Sequence, residues 1–174
     1  MIKHIDRLIS TIDKKQKQLL YCVDFLTFKT IAYTNEWDKK IPDNIAIISI
    51  TDVIKTRHYH ICKDSNNVLN LDFDDADPQG YGLDDNAKTY SNDLNIIHFF
   101  TSEMANKVIK FIENNKDKHF IIHCGAGKSR SQAFVKYIKH IYYDIDFYTN
   151  PDNPCIYPNG YVFSQLMNAY RENF

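Results

Sequence analysis

Glycine and proline are scarce in this chain, five of each among 174 residues. That scarcity excludes collagen-like and linker-like architectures and argues against a long disordered segment. Cysteine is sparse as well: Cys22, Cys62, Cys124 and Cys155 lie far apart, with no CxxC pair. A disulfide-built secreted domain is denser in cysteine and a zinc site is more closely spaced, so neither is expected. An excess of one charge is also missing. A net charge of −1 and a pI near 6.6 give no footprint for nucleic acid or for an anionic membrane surface. No run approaches the ~20 apolar residues that span a bilayer, and the charged stretch Met1–Lys17 lacks the apolar centre of a signal peptide. A soluble, cytoplasmic protein in a reducing compartment is expected, with a monomer favoured.

What the chain does have is apolar and aromatic mass. Hydrophobic residues make up 44%, with 12 Tyr, 11 Phe and 1 Trp, enough for one domain over residues 1–174 with a substantial core. Ile2, Ile5, Leu8, Ile9 and Ile12 fall at helical spacing. Strands are expected over Gln18–Asp24, Ile45–Ile50 and Val68–Phe73, and helices over Phe25–Tyr33, Thr101–Asn114 and Tyr161 to about Asn173. Asn35–Asn44 and the turn-rich Asn150–Gly160 read as loops, and Gln79–Asn95 as a long polar, mobile one. His58 and His60 alternate onto one face beside Arg57, but no third ligand lies nearby in sequence, so water-facing edge-strand residues are expected. Strands separated by helices imply an α/β fold: a central, mostly parallel sheet of four to five strands flanked by helices, with ligands at the carboxyl ends of the strands.

One stretch organises the rest: His119-Phe120-Ile121-Ile122-His123-Cys124-Gly125-Ala126-Gly127-Lys128-Ser129-Arg130-Ser131. Its first half is an apolar run too short for a helix, hence a buried strand. A glycine-containing loop follows, and helical spacing resumes from Ser131 to about Tyr143. Strand, loop and helix N-terminus aim backbone N–H groups and the positive end of a helix dipole at one spot, which is an anion site. Cys124 opens this loop and Arg130 closes it. A thiol attacks only as the thiolate, and surroundings of N–H donors and a guanidinium lower a cysteine pKa from about 8.5 to roughly 3.5–7.5. Arg130 offers a planar fork that takes two oxygens of one phosphate. The expected chemistry is attack by Cys124 on a phosphorus whose oxygens are held by Gly125, Ala126, Gly127, Lys128 and Ser129. A nucleotide-binding GxxxxGK[ST] loop is excluded by spacing, because the position that must be glycine holds Ile122.

His123-Cys124, five residues, then Arg130-Ser131 resembles the HCxxxxxRS signature of the cysteine-dependent protein tyrosine and dual-specificity phosphatases. The resemblance implies a tyrosine-phosphatase-like fold, no cofactor, no metal, and a phosphorylated protein or other phosphomonoester as substrate. It implies catalytic roles for Cys124 (nucleophile), Arg130 (phosphate clamp) and Ser131, whose hydroxyl would aid departure of the thiolate while also capping the helix. His123 would orient the loop from behind. The family's proton donor is an aspartate on a loop after a strand. Leu71-Asp72-Phe73-Asp74-Asp75-Ala76-Asp77-Pro78 resembles the Phe-x-Asp arrangement of tensin-type phosphoinositide phosphatases and of several bacterial and phage phosphatases, which favours Asp75. Asp77 takes the role if the strand is aligned to small dual-specificity enzymes. No Trp-Pro-Asp triplet is present, a departure from the classical tyrosine phosphatases. Lys128 points to solvent or to a second phosphate, and Asn159 and Tyr157 are candidates to line the pocket. The alternatives are a phosphoinositide or RNA 5′-phosphate hydrolase on the same scaffold, a pseudophosphatase that binds phosphotyrosine without hydrolysing it, and, more remotely, an arsenate reductase with a resolving thiol among Cys22, Cys62 and Cys155.

Overall fold

The computed structural model describes residues 18–54, 59–142, 146–149 and 156–174. The helical spacing expected over residues 2–12, Arg57, His58, Cys155 and the first part of the 150–160 loop fall outside these residues. Five strands form one sheet in the order β3-β2-β6-β1-β7. They are β1 (Leu19–Asp24), β2 (Ile45–Thr51), β3 (Val68–Asp72), β6 (His119–Cys124) and β7 (Asp146–Thr149), and every pairing among them is parallel. A separate antiparallel hairpin joins β4 (Thr89–Ser91) to β5 (Ile96–His98). The helices are α1 (Phe25–Thr34), α2 (Ser102–Asn114), α3 (Arg130–Ile141) and α4 (Gly160–Asn173), with a 3-10 turn at Pro78–Tyr81.

The two strands beside each other at the centre, β2 and β6, are buried at every position. That is why consecutive apolar residues, Ile45–Ile48 in β2 and Phe120–Ile122 in β6, replace the alternation of a half-exposed strand. Each fully buried Ile or Phe in them contributes about 1.5–3 kcal/mol. One face of the sheet packs against α1 through Tyr21, Val23, Phe28, Ile31, Ile47 and Ile121. The other face carries Leu20, Ile48, Phe120 and Ile122 and is covered by α2, α3 and α4.

Two local rules place the helix starts. Asp24, the last residue of β1, caps α1 by accepting from the Thr27 N–H at 2.9 Å and the Thr27 hydroxyl at 2.8 Å. Thr101 caps α2 in the same way through the Met104 N–H, with Glu103 in the first turn. Among the described residues no helix separates β2 (ending at Thr51) from β3 (starting at Val68). The 79–95 segment is not a featureless loop. It contains most of the 3-10 turn and most of the hairpin, whose reversal is pinned by the Asn92 side chain accepting from the Leu94 and Asn95 N–H groups at 3.0 and 2.8 Å. Among the described residues no helix is long and apolar enough to cross a membrane.

Candidate active site

Parallel pairing brings the carboxyl ends of β1, β2, β3 and β6 to one edge, the place where open α/β sheets bind ligands. Cys124 ends the central strand there, and its side chain is buried. The loop from Gly125 to Ser129 is held from outside by its carbonyls. Gly125 O accepts from Phe25 N at 3.0 Å, Lys128 O from Tyr157 N at 3.0 Å, and Ser129 O from Asn159 N at 3.3 Å and Ala133 N at 3.1 Å. Gly127 O accepts from the Gln132 side-chain amide at 2.9 Å, and the same amide reaches Cys22 Sγ at 3.2 Å. In a trans peptide the C=O and the next N–H point in opposite directions. Tying these carbonyls to the scaffold therefore turns the N–H groups of Ala126, Lys128, Ser129 and Arg130 the other way, into the bowl. Gly127 has φ +68°, and a Cβ there would come within 2.8 Å of Asp24 N and of the Val23 carbonyl carbon. Only glycine fits the close approach of loop to β1.

Ser129 occupies the N-cap position of α3, yet its hydroxyl makes no cap. It donates instead to Asp75 Oδ1 at 2.8 Å. The first-turn N–H groups of α3 are thus left without a side-chain acceptor, which suits an anion. Arg130 begins α3, one residue earlier than the spacing suggests, and is buried. Its Nη1 donates to Asp52 Oδ1 and to the Phe73 carbonyl, both at 2.7 Å. Its Nε is buried with no partner among the described residues. Leaving a buried donor unpaired costs about 1–3 kcal/mol, and Nε with Nη2 forms the edge of a guanidinium that grips two oxygens of one oxyanion. Ser131 lies inside α3 and does not cap it. Its hydroxyl is 3.1 Å from Cys124 Sγ.

The acidic run after β3 is not a solvated turn, because each carboxylate has its own partner. Asp72 Oδ1 accepts from the Thr51 hydroxyl at 2.6 Å and meets His60 Nε2 at 2.9 Å. Asp74 accepts from His98 N at 2.8 Å, fastening the run to the hairpin. Asp75 accepts from both Ser129 and the Asn159 side-chain amide at 2.8 Å. Asp77 caps the 3-10 turn through Gln79 N at 2.9 Å. Asp75, not Asp77, touches the loop. A cleft of about 580 Å³ adjoins it, lined by Asp75, Asp77, Asp85, Ser129, Asn159 and Tyr161. The negative field there is felt by Tyr161, whose hydroxyl is pushed up to about 12 by burial and by Asp85, Asp77 and Asp84.

The remaining sequence candidates divide. Lys128 is exposed. His123 is fully buried on the far face of the sheet and stacks on Phe28 with ring centroids 4.0 Å apart, so it supports the loop from behind. His60 is no water-facing edge residue. Its Nδ1 lies 2.8 Å from Ser49 Oγ, and its other nitrogen faces Asp72. Cys22 sits in the same buried cluster as Cys124, and burial pushes its thiol well above the ordinary range, which makes it a poor resolving nucleophile. Sequence reasoning missed Asp52 and Gln132. A buried arginine demands a carboxylate, and Asp52 stands one residue beyond β2 at the same edge; that signal was available. The comparison with protein-family models gave no match for this chain, and the comparison with curated proteins gave none.

Proposed function

We propose that this protein is a cysteine-dependent phosphomonoester hydrolase of the protein tyrosine/dual-specificity type. The observation that carries the reading is the arginine. Arg130 is held by Asp52 and the Phe73 carbonyl on one nitrogen and has a buried Nε with no partner among the described residues, beside a bowl of N–H groups that opens on a buried thiol. A structural arginine has no use for that arrangement, whereas a tetrahedral dianion satisfies all of it at once.

In the first step the Cys124 thiolate forms an S–P bond as the P–O bond to the leaving group breaks. The electron pair goes to the leaving oxygen, which takes the proton of Asp75. In the second step water gives a proton to the Asp75 carboxylate while its oxygen forms a new P–O bond, and the S–P bond breaks. The sulfur departs as a thiolate, hydrogen-bonded by Ser131 at the 3.1 Å contact. Proton donation by Asp75 contributes about 10²–10⁴-fold. The carboxylates of the adjoining cleft repel a second phosphate, which favours singly phosphorylated substrates such as a phosphoprotein side chain over polyphosphorylated lipids.

The test is Cys124→Ser. Turnover of p-nitrophenyl phosphate should fall by at least about 10³-fold with the thermal midpoint retained. Rapid mixing of stoichiometric wild-type enzyme should release a burst of one equivalent of nitrophenolate. Turnover retained in Cys124→Ser overturns the reading, and wild type without turnover makes the protein a phosphate-binding module.

A further inference from the structure

Asn159 stands where three parts of the site meet. Its backbone N–H donates to the Ser129 carbonyl at 3.3 Å, beside the Tyr157 N–H on Lys128 O. Its side-chain Oδ1 accepts from Val162 N at 3.0 Å and so caps α4. Its Nδ2 donates to Asp75 Oδ1 at 2.8 Å. The amide has only one sensible orientation. A flip would set its NH₂ against the Val162 N–H and its oxygen against a carboxylate, two repulsive contacts in place of two attractive ones.

Ser129 donates to the same oxygen of Asp75, also at 2.8 Å. A proton donor has two unlike oxygens, a carbonyl that accepts and a hydroxyl that gives. Two donors on Oδ1 fix that oxygen as the acceptor and leave Oδ2 to carry the proton. Asp75 itself is exposed and lies on irregular chain between β3 and the 3-10 turn, so its own packing does little to aim it. We propose that Asn159 is a positioning residue for the general acid. With Ser129 it holds Asp75 by one oxygen, so that the other faces the leaving group, and it couples this aim to the start of α4. The inference rests on the phosphatase reading given above.

Asn159→Ser keeps a hydroxyl able to cap Val162 N but is too short to reach Asp75. Asn159→Asp also keeps the cap while replacing the donor with an acceptor, and it serves if the serine variant folds poorly. Initial rates on phenyl phosphate, a poor leaving group, and on p-nitrophenyl phosphate, a good one, are measured for wild type, each Asn159 variant, Asp75→Asn and the double variants, with thermal midpoints alongside. The Asn159 variants should lose about tenfold on phenyl phosphate and less on p-nitrophenyl phosphate, a part of what the acid itself supplies. In the Asp75→Asn background the Asn159 substitutions should cost nothing more, because the two groups act as one unit. Equal losses on both substrates, no loss, or a full additional loss in the Asp75→Asn background overturns the inference. Equal losses on both substrates for Asp75→Asn alone overturn the assignment of the acid, and the inference with it.

Discussion

The two sides of the bowl are built on different principles. The Cys124–Arg130 side is cross-tied, with Cys124, Gly127 and Arg130 buried: its carbonyls are held by the start of α1, by α3 and by the 157–159 segment, and Arg130 by the residues just past β2 and β3. The Asp75 side is exposed chain fastened at few points, Asp74 to the hairpin and Asp75 to Ser129 and Asn159. Binding an oxyanion and attacking it need preorganised dipoles that do not move. Giving a proton to leaving groups of different shape tolerates, and profits from, a part that adjusts. Substitutions on the first side should therefore damage every substrate alike, and those on the second should discriminate among substrates.

The largest effect expected on this contrast is at Arg130. Arg130→Lys keeps the charge but loses the fork, and one ammonium cannot satisfy Asp52, the Phe73 carbonyl and two phosphate oxygens together. Turnover should fall by about 10²–10³-fold, equally for phenyl and p-nitrophenyl phosphate in steady-state assays. A loss confined to one of them would break the division of labour between the sides.

A smaller effect is expected at Gly127, and it bears on stability first. An added Cβ within 2.8 Å of the β1 backbone cannot be relieved by rotating a side chain, so either the loop or the strand must shift. Gly127→Ala should cost about 1–3 kcal/mol, read as a drop in the thermal midpoint, with reduced turnover that is the same for both leaving groups. An alanine variant as stable and active as wild type would mean that the loop is not clamped to β1.

The same contrast decides what could be read before any coordinates. The rigid side was legible because its rules are local. A short strand centred on Phe120–Ile122, a cysteine at its end, a glycine-containing loop and an arginine at the head of a helix imply one another along a continuous stretch. The parallel sheet followed from strands spaced by helices, though among the described residues no helix lies between β2 and β3. The other side was less legible because its contacts are distant in sequence. Asp75 meets Asn159 across 84 residues and Ser129 across 54, and no periodicity reports such pairs. Ser131 was misread as a cap for a related reason: the residue that occupies the cap position, Ser129, has its hydroxyl drawn away by Asp75. The 89–98 hairpin escaped notice because three-residue strands are too short to show alternation.

Asp77 gives the smallest effect and the sharpest discrimination. It is two residues from Asp75 and lines the same cleft, so a generic electrostatic account of the acidic run predicts similar behaviour for both. Their bonding differs. Asp77 accepts from Gln79 N and starts the 3-10 turn, while Asp75 is bound by Ser129 of the 125–129 loop and by Asn159, the cap of α4. Asp77→Ala should therefore cost about 0.5–2 kcal/mol as a lost cap, visible in the thermal midpoint. Its rates on phenyl and p-nitrophenyl phosphate should keep their wild-type ratio, whereas Asp75→Asn should distort that ratio by about 10²-fold or more. The reverse ranking would move the proton donor to Asp77, and would mean that the hydrogen bonds on Asp75 serve only to brace the loop.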